Sequence, residues 1–285
     1  MSPPASWRIL FIRPPNYSHA AALSEMVETV YFGLRALGLK VAHGLDGLRP
    51  GEGVIVIGAQ TLPAAAMARL PPGAIVYNFE QVQTGSAWMR PEYLGLLAAH
   101  EVWDYSRENV RRLAGRGVAH AKHVPVGYVP ELSRIAPADE DIDVLFYGSM
   151  NPRRQAVIDG LARRGVNVKC LFDVYGAARD AFIARAKIVL NLHYYDAHIF
   201  ETVRVSYLLA NRRAVVAECG RDTEIEDDLR PAIRAASYGD LVDACVELVN
   251  DATTRAQLAE RGHRIFSARG EAAILAGALN LPRPG

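Results

Sequence analysis

The sequence predicts an α/β protein made of two doubly wound, Rossmann-like domains with parallel sheets that face each other across a cleft. Three observations lead to this fold class. Short apolar runs alternate with longer amphipathic stretches from the first residues onward. The alternation stops in a proline-bearing segment at residues 126–141 and then begins again. The length of 285 residues is about twice that of a common domain.

The composition favours a folded protein with a net charge close to zero. Half of the residues are hydrophobic and 22% are charged, which excludes a disordered chain. The 32 Lys and Arg residues balance 31 Asp and Glu residues, so the formal net charge is +1. A protein with so small a net charge does not attract nucleic acid or an anionic membrane over its whole surface. Any site that binds an anion therefore has to be formed by a few positioned groups.

Cysteine usage and hydropathy indicate a protein of the reducing cytoplasm. Cys170, Cys219 and Cys245 are widely spaced and form no metal-binding pattern. No apolar stretch reaches the ~20 residues that a membrane-spanning helix requires. The first residues do not resemble a signal peptide, because the first apolar run is flanked by Arg8 and Arg13. We therefore expect a soluble cytoplasmic protein of bacterial type without a transmembrane segment.

The first half reads as a series of βα units. Residues 8–12 predict a strand, and residues 19–37 predict a helix that ends at Gly38. Further strands are predicted at residues 39–42, 54–57, 74–77, 101–103 and 123–124. Most of these runs are apolar throughout, which is typical of strands covered on both faces in a parallel sheet.

The second half repeats the pattern. Strands are predicted at residues 143–148, 166–172, 187–193 and 214–217, and helices at residues 153–163, 177–186, 201–210, 240–250 and 254–267. The resulting domains are residues 1–130, a linker at 131–141, and residues 142–268. Residues 269–285 form a tail whose helix, near residues 268–279, is expected to cross back toward the first domain.

Function is expected where the carboxyl ends of the strands meet, because ligands of doubly wound sheets bind there. Neither half contains the glycine pattern of a dinucleotide-binding domain or a P-loop. A nicotinamide dehydrogenase and an ordinary P-loop NTPase are therefore disfavoured.

Several segments resemble a known family in their order and spacing. They are residues 102–109, the run 119–128 with its Pro125-Val126-Gly127 step, residues 190–193, 200–204 and 208–216, and residues 240–242 and 251–262. Together these segments are similar to GT-B glycosyltransferases of the family-one and family-four-like type, particularly the spore-maturation-type branch. The resemblance implies a hexosyltransferase-type enzyme whose nucleotide-diphosphate sugar donor is held mainly by the C-terminal domain. It also implies no metal and no other cofactor.

Cationic side chains near one helix start fit a diphosphate. The helix predicted to begin at Glu201 and Thr202 directs free N–H groups and its positive dipole end toward a bound anion. Arg204 lies one turn inside this helix, and Arg153 and Arg154 follow a neighbouring strand end. Each guanidinium group can donate two parallel hydrogen bonds to phosphate oxygens.

The sequence departs from the family at the ribose site. Many retaining members carry two Glu residues eight positions apart, and Ile199 and Tyr207 occupy those positions here. Glu201 and Glu218 are the carboxylates expected to replace those contacts. The residues expected at the donor base or sugar are Gly148, His193, Tyr194, His198, Tyr207 and Glu218.

A metal site is not expected in this segment. His193 and His198 lie five positions apart with Asp196 between them, but a third ligand at a suitable spacing is missing.

Two residues are candidates for the catalytic base. His19 follows the first strand in Asn16-Tyr17-Ser18-His19, and Glu80 follows the fourth predicted strand. Either could accept the proton of an acceptor hydroxyl, Glu80 provided that burial raises its pKa.

The sequence thus predicts transfer of a sugar to a hydroxyl group of a glycan, a lipid-linked sugar, a small molecule or a protein. Two alternatives stay open: a nucleotide-sugar epimerase or hydrolase on the same fold, and a catalytically idle module that binds a nucleotide sugar or a protein.

Overall fold

In the computed structural model the chain divides into two compact units. Unit 1 comprises Met1–Val129 together with Arg269–Gly285, and unit 2 comprises Pro130–Ala268. The structure describes residues 4–83, 85–194 and 199–282. The chain leaves unit 1 once and returns to it once.

Unit 1 contains a six-stranded sheet in which all neighbouring strands are parallel. The strands are β1 (Ser6–Phe11), β2 (Lys40–His43), β3 (Gly53–Ile57), β4 (Ile75–Asn78), β5 (Glu101–Asp104) and β6 (Lys122–His123). Their order is β2-β1-β3-β4-β5-β6. The order reverses between β1 and β3, which is the switch point at which a doubly wound sheet binds ligands.

Five α-helices accompany this sheet in the described part of unit 1. They are α1 (Ser24–Ala36), α2 (Ala64–Met67), α3 (Pro91–Ala99), α4 (Arg107–Ala114) and α10 (Glu271–Ala278), the last helix of the chain. Short 3-10 helices span Ser18–Leu23 and Ala59–Thr61. The helix expected at residues 19–37 is therefore divided, with a 3-10 turn before α1.

The central strands of unit 1 are buried on both faces. Ile9, Ile55 and Ile75 lie in register across β1, β3 and β4, and all three are buried. On the other face of the sheet, Val56 packs in one cluster with Leu97 of α3. Because side chains alternate between the faces of a strand, an uninterrupted apolar run supplies both cores.

Gly58 shapes the switch point of unit 1. Its φ angle of 85° is in the left-handed region, and an added Cβ would lie 2.9 Å from the carbonyl oxygen of Ile12. Only glycine allows the chain to turn this closely past the end of β1.

Unit 2 contains a five-stranded parallel sheet in the order β11-β10-β9-β7-β8. Its strands are β7 (Ile142–Tyr147), β8 (Val168–Leu171), β9 (Ala186–Asn191), β10 (Val215–Glu218) and β11 (Arg234–Ala236). Its α-helices are α5 (Pro152–Arg163), α6 (Gly176–Arg185), α7 (Thr202–Ala210), α8 (Leu241–Asn250) and α9 (Ala252–Ser267). The 3-10 helices of the unit span Pro130–Leu132, Arg230–Ala232 and Tyr238–Asp240. The strand order reverses between β7 and β9, so the loops after these strands mark the switch point of unit 2.

A buried glutamate joins the two ends of unit 1. The N–H of Tyr128 donates to the carbonyl of Arg269 at 2.7 Å, and the N–H of Glu271 donates to the carbonyl of Tyr128 at 3.0 Å. Oε2 of Glu271 accepts the N–H of Gly127 at 2.6 Å, while its buried Oε1 has no hydrogen-bond partner among the residues that the structure describes. Burial raises the pKa of Glu271 to about 7, so its charged form is disfavoured in the folded protein.

We expect Glu271→Gln to stabilise the protein at pH 8 and not at pH 4.5. Between the unfolded pKa near 4.5 and the folded pKa of about 7, the folded state holds more protons, so the free energy of unfolding falls as pH rises through this window. Glutamine keeps an oxygen for Gly127 and carries no charge, which should recover on the order of 1–3 kcal/mol at pH 8. Thermal unfolding of both proteins at the two pH values measures this, with the exposed Glu92→Gln as control. An equal increase in stability at both pH values would show that the protonation of Glu271 does not contribute to the stability of the folded protein.

Candidate functional site

The carboxyl edge of the sheet in unit 2 exposes apolar side chains. Met150, Phe172, Tyr194 and Tyr238 are 38%, 59%, 41% and 38% exposed, and they are the exposed large hydrophobic residues among the described ones. They follow β7, β8, β9 and β11, and thus collect at one edge of one sheet. Exposed apolar groups clustered at the edge where doubly wound sheets bind ligands indicate a binding surface.

Gly148 lets two arginines approach the main chain after β7. Its φ angle is 135°, and an added Cβ would lie 3.0 Å from Nη2 of Arg204 and 3.4 Å from Nη1 of Arg154. A larger residue would therefore be strained and would push at least one guanidinium group away. The predicted site residue Gly148 thus lies beside two of the predicted cations.

Arg154 is buried and ties two strand ends together. Its Nη1 donates to the carbonyl of Ser149 at 2.7 Å, its Nε to the carbonyl of His193 at 3.3 Å, and its Nη2 to the carbonyl of Leu192. Burial and the charge of Arg204 lower the pKa of Arg154 to about 10, which leaves it protonated at neutral pH. These hydrogen bonds hold the loops after β7 and β9 in place. The main role of Arg154 is therefore to shape the carboxyl edge of the unit 2 sheet.

Arg153 and Glu218 were both predicted to contact the donor, and the structure pairs them with each other. Nη1 of Arg153 lies 2.6 Å from Oε2 of Glu218, and Nη2 contacts Oε1 in the same two-point arrangement. The guanidinium group also lies 4.0 Å from the centre of the Tyr238 ring. Glu218 is 3% exposed. Because its negative charge is paired with the positive charge of Arg153, the two residues together add little net charge to this edge of the sheet.

Of the three arginines predicted at the diphosphate, Arg204 has the most side-chain donors left for a ligand. It lies one turn inside α7, and its Nη1 donates to Oδ1 of Asn191 at 2.9 Å. Its guanidinium group lies 5.0 Å from the centre of the Tyr147 ring. Among the described residues, the bond to Asn191 is the one hydrogen bond of the Arg204 side chain, which is partly exposed. Arg204 can therefore donate further hydrogen bonds to an anion that lies against Gly148.

A network of polar side chains is connected to Arg204 through Asn191. Nδ1 of His193 is 3.1 Å from Oε1 of Glu201, and Nδ2 of Asn191 donates to Oε2 of Glu201 at 2.7 Å. Nε2 of His193 is 3.2 Å from Oγ1 of Thr223. Burial alone would lower the pKa of His193, but the carboxylates of Glu201 and Glu218 raise it. Burial alone would raise the pKa of Glu201, but His193, Arg204 and Asn191 lower it.

The remaining predicted residues of unit 2 occupy different environments. Thr202 begins α7, and its N–H is already bonded to the carbonyl of Phe200 at 2.8 Å. Tyr194 lies at the edge, and its ring centre is 5.1 Å from the guanidinium carbon of Arg154. His198 lies outside the described residues.

Tyr207 is buried within the helix packing of unit 2. Its hydroxyl donates to Oδ2 of Asp180 at 2.7 Å and accepts from Nε of Arg134 at 3.1 Å. Burial and Asp180 raise the pKa of Tyr207 well above its ordinary value. Its hydroxyl therefore already has partners on α6 and in the segment after Val129.

Glu80 follows β4 in unit 1, as predicted, and is a partly buried residue. Its Oε1 accepts Nε2 of Gln60 at 2.9 Å, and Gln60 lies in the loop after β3. Burial raises the pKa of Glu80 to about 7, and the hydrogen bond from Gln60 lowers it less. Near neutral pH this carboxyl group can therefore both accept and release a proton.

The main chain around Glu80 is held by buried side chains that the sequence did not indicate. Nδ2 of Asn109 donates to the carbonyl of Glu80 at 2.9 Å, and its Oδ1 accepts the N–H of Val82 at 2.7 Å. Nδ2 of Asn78 also donates to the carbonyl of Glu80 at 2.9 Å. Both amides bond to the carboxylate of Asp104, at 3.0 Å and 2.7 Å. This network fixes the backbone of the loop through the carbonyl of Glu80. The carboxyl group of Glu80 is instead bonded to Gln60.

His19 lies in the 3-10 helix after β1. Its ring is edge-on to Tyr17 with the centroids 5.7 Å apart, and Tyr17 is edge-on to Trp88 at 5.4 Å. Both predicted bases thus follow strands of the unit 1 sheet. His19 belongs to an aromatic group that includes Trp88 of the loop after Glu80.

Two further findings concern the described residues alone. No group of His, Cys, Asp or Glu among them is arranged to hold a metal ion. None of their helices has the length and hydropathy needed to cross a membrane.

Sequence comparison finds distant viral relatives. No protein-family model matches the chain. An uncharacterized protein of Acanthamoeba polyphaga mimivirus is 24% identical over 188 residues, which covers 62% of this chain and 59% of the relative. A second mimivirus protein is 30% identical over 116 residues, covering 40% and 13%. The chain thus spans just over half of the first relative and a small part of the second. These viral relatives give no support to the expected bacterial origin.

Structure comparison finds solved proteins of similar fold, among them a glucosyltransferase. Anabaena HepE, solved with UDP and glucose, has a TM-score of 0.64 at 13% identity, covering 96% of this chain and 99% of that one. The DNA-modifying enzyme β-glucosyltransferase has a TM-score of 0.61 at 14% identity, covering 97% and 100%. TarM has a TM-score of 0.57 at 15% identity, and this chain spans 57% of its length.

At these identities the likeness establishes the fold. The prediction of two parallel α/β domains is confirmed, with sheets of six and five strands. The spore-maturation-type branch stays a prediction from the sequence. The chain has the GT-B fold of the glycosyltransferases.

Proposed function

We propose that the protein is a glycosyltransferase that moves a sugar, of hexose type, from a nucleotide-diphosphate sugar to a hydroxyl group. The observation that carries this proposal is Arg204, a partly exposed cation with unused donors among the apolar groups at the carboxyl edge of unit 2. A nucleoside diphosphate matches this edge of the sheet. The flat faces of its base can stack on the exposed apolar side chains, and its phosphates can accept hydrogen bonds from Arg204. HepE and β-glucosyltransferase, which share the fold, were solved with UDP-linked glucose, and this supports a hexosyl donor.

In this proposal the diphosphate lies against Gly148 and accepts hydrogen bonds from Arg204. Charge that develops on the leaving diphosphate is stabilised by Arg204 and by the positive end of α7. The exposed aromatic side chains Tyr194 and Phe172 offer surfaces for the base or the sugar. Glu201 and His193 lie beneath the donor and hold the edge in shape.

Glu80 of unit 1 is the proposed base. It accepts the proton of an acceptor hydroxyl, because its pKa of about 7 suits proton transfer at neutral pH. His19 is the alternative base. The half-buried Trp88 and its neighbour Tyr17 offer an aromatic surface for the acceptor.

We expect a nucleoside diphosphate to bind without a divalent metal, because Arg204 and the α7 dipole provide the positive charge. Calorimetry with UDP, GDP and dTDP in the presence of EDTA measures this. Binding of at least one of them in EDTA is the expected result. Binding that appears only after Mg²⁺ is restored would place the metal in the site and contradict this part of the proposal.

A second candidate is a module that binds a nucleotide sugar without turnover. Tyr207, which occupies the position of the missing ribose glutamate, is engaged with Asp180, and Glu218 is engaged with Arg153. A panel of nucleotide sugars, assayed for released diphosphate with and without added acceptors, distinguishes the two. Release that requires an acceptor indicates a transferase, release without one a hydrolase, and binding without release the idle module.

A further inference from the structure

Asn191 ends β9 and lies between a cation and a carboxylate. It is fully buried. Its Oδ1 accepts Nη1 of Arg204 at 2.9 Å, and its Nδ2 donates to Oε2 of Glu201 at 2.7 Å. Both bonds involve a charged partner, which makes them stronger than bonds between neutral groups.

The orientation of this amide is fixed by its partners. A guanidinium group only donates hydrogen bonds, and an ionised carboxylate only accepts them. The oxygen of Asn191 therefore has to face Arg204 and its nitrogen has to face Glu201. An amide group meets both requirements, because its acceptor and its donors are on separate atoms.

The contacts continue beyond Glu201 to a second loop. Glu201 is bonded to His193, His193 to Thr223, and Oγ1 of Thr223 accepts the N–H of Gly220 at 3.0 Å. The chain of hydrogen bonds therefore runs from the loop after β10, through Asn191, to the guanidinium group of Arg204.

We propose that Asn191 is a positioning residue that holds the Arg204 guanidinium group ready for the diphosphate, an inference that rests on the proposed donor site. Arg153 and Arg154 have other partners that hold them: Glu218 in one case and three backbone carbonyls in the other. Besides the contact with the Tyr147 ring, the Arg204 side chain has Asn191 as its one hydrogen-bond partner among the described residues. Without this anchor its long side chain would have to be ordered by the ligand, which weakens binding.

The test is calorimetry of Asn191→Ala with the nucleoside diphosphate that binds best among UDP, GDP and dTDP. We expect the affinity to fall by about threefold to thirtyfold. Affinity for the matching nucleoside, measured by an NMR titration, should stay within about twofold, because Asn191 acts on the phosphates. The exposed amide Asn167, replaced by alanine, is the matched control and should leave both affinities unchanged. Equal losses for diphosphate and nucleoside would indicate a general structural role and overturn the inference.

A double-mutant cycle separates this role from others. In the Arg204→Ala background, Asn191→Ala should cause no further loss of diphosphate affinity, because the residue through which it acts is gone. A full additional loss in that background would contradict the inference. If Asn191→Ala does not fold by circular dichroism, Asn191→Val replaces it in the same cycle, since a branched side chain suits a strand and valine has no hydrogen-bonding group. If the wild-type protein binds no nucleoside diphosphate, the proposed function fails and this inference with it. If the wild type binds and the cycle is additive, only the inference fails.

Discussion

Arg204→Ala is expected to weaken the binding of a nucleoside diphosphate by about ten- to a hundredfold, the loss of one forked, charge-assisted contact. Arg204 lies one turn into α7, at the positive end of the helix dipole, where an anion is favoured. Its free donors lie beside Gly148, whose missing side chain leaves room for the ligand. Calorimetry measures the change, and circular dichroism establishes that the fold is intact.

Arg212→Ala is the matched control, at an arginine just beyond the other end of the same helix. Arg212 follows the carboxyl end of α7, at the opposite pole of the dipole, and its exposed side chain pairs with Glu260 at 3.2 Å. Its removal should leave diphosphate affinity within about twofold of wild type, because Arg212 lies at the other end of α7 from the proposed diphosphate site. Equal losses in the two variants would mean that the diphosphate is not held at the start of α7.

Glu80→Gln is expected to lower kcat by about 10²- to 10⁴-fold, the usual contribution of a general base. Glutamine keeps the shape of the side chain and an oxygen for Gln60, but it cannot accept the proton. Binding of the nucleoside diphosphate should not change, because the proposed donor residues all belong to unit 2. The exposed Glu92→Gln is the matched control in the same unit. Steady-state kinetics and calorimetry together give both quantities.

The pH profile provides a second measurement for Glu80. The base acts in its deprotonated form, so kcat/KM of the wild type should rise with pH up to about 7 and level off above it. Glu80→Gln should remove this limb from the remaining activity. If Glu80→Gln retains nearly full kcat while His19→Asn loses it, the base is His19 instead.

The fold could be predicted where the sequence carries uninterrupted apolar runs. β3 and β4 were expected at residues 54–57 and 74–77 and lie at Gly53–Ile57 and Ile75–Asn78. Their burial on both faces requires such runs, which makes them visible in the sequence. β11 (Arg234–Ala236) was missed because one arginine and two alanines form no apolar run. Its place at the sheet edge depends on pairing with β10, which is a property of the folded chain.

The site could be predicted in part. The position of Arg204 follows from a helix start near Glu201, which is a local property of the sequence. The pair of Arg153 with Glu218 joins residues 65 positions apart, and it depends on where the start of α5 lies relative to the end of β10. Asn191 offered one signal, a polar residue at the end of an apolar strand. Its two partners became evident only from the structure.

The hydrogen bonds between Tyr128 and the segment at Arg269 have a consequence for the order of the chain. Viewed along the sequence, unit 2 is an insertion into unit 1, which is completed only by the last helix. The helix α10 packs on α1 so closely that a Cβ at Gly33 would lie 2.6 Å from Cγ of Glu271. A truncation before Arg269 would therefore damage the unit that carries Glu80, although the cut lies almost two hundred positions away from it.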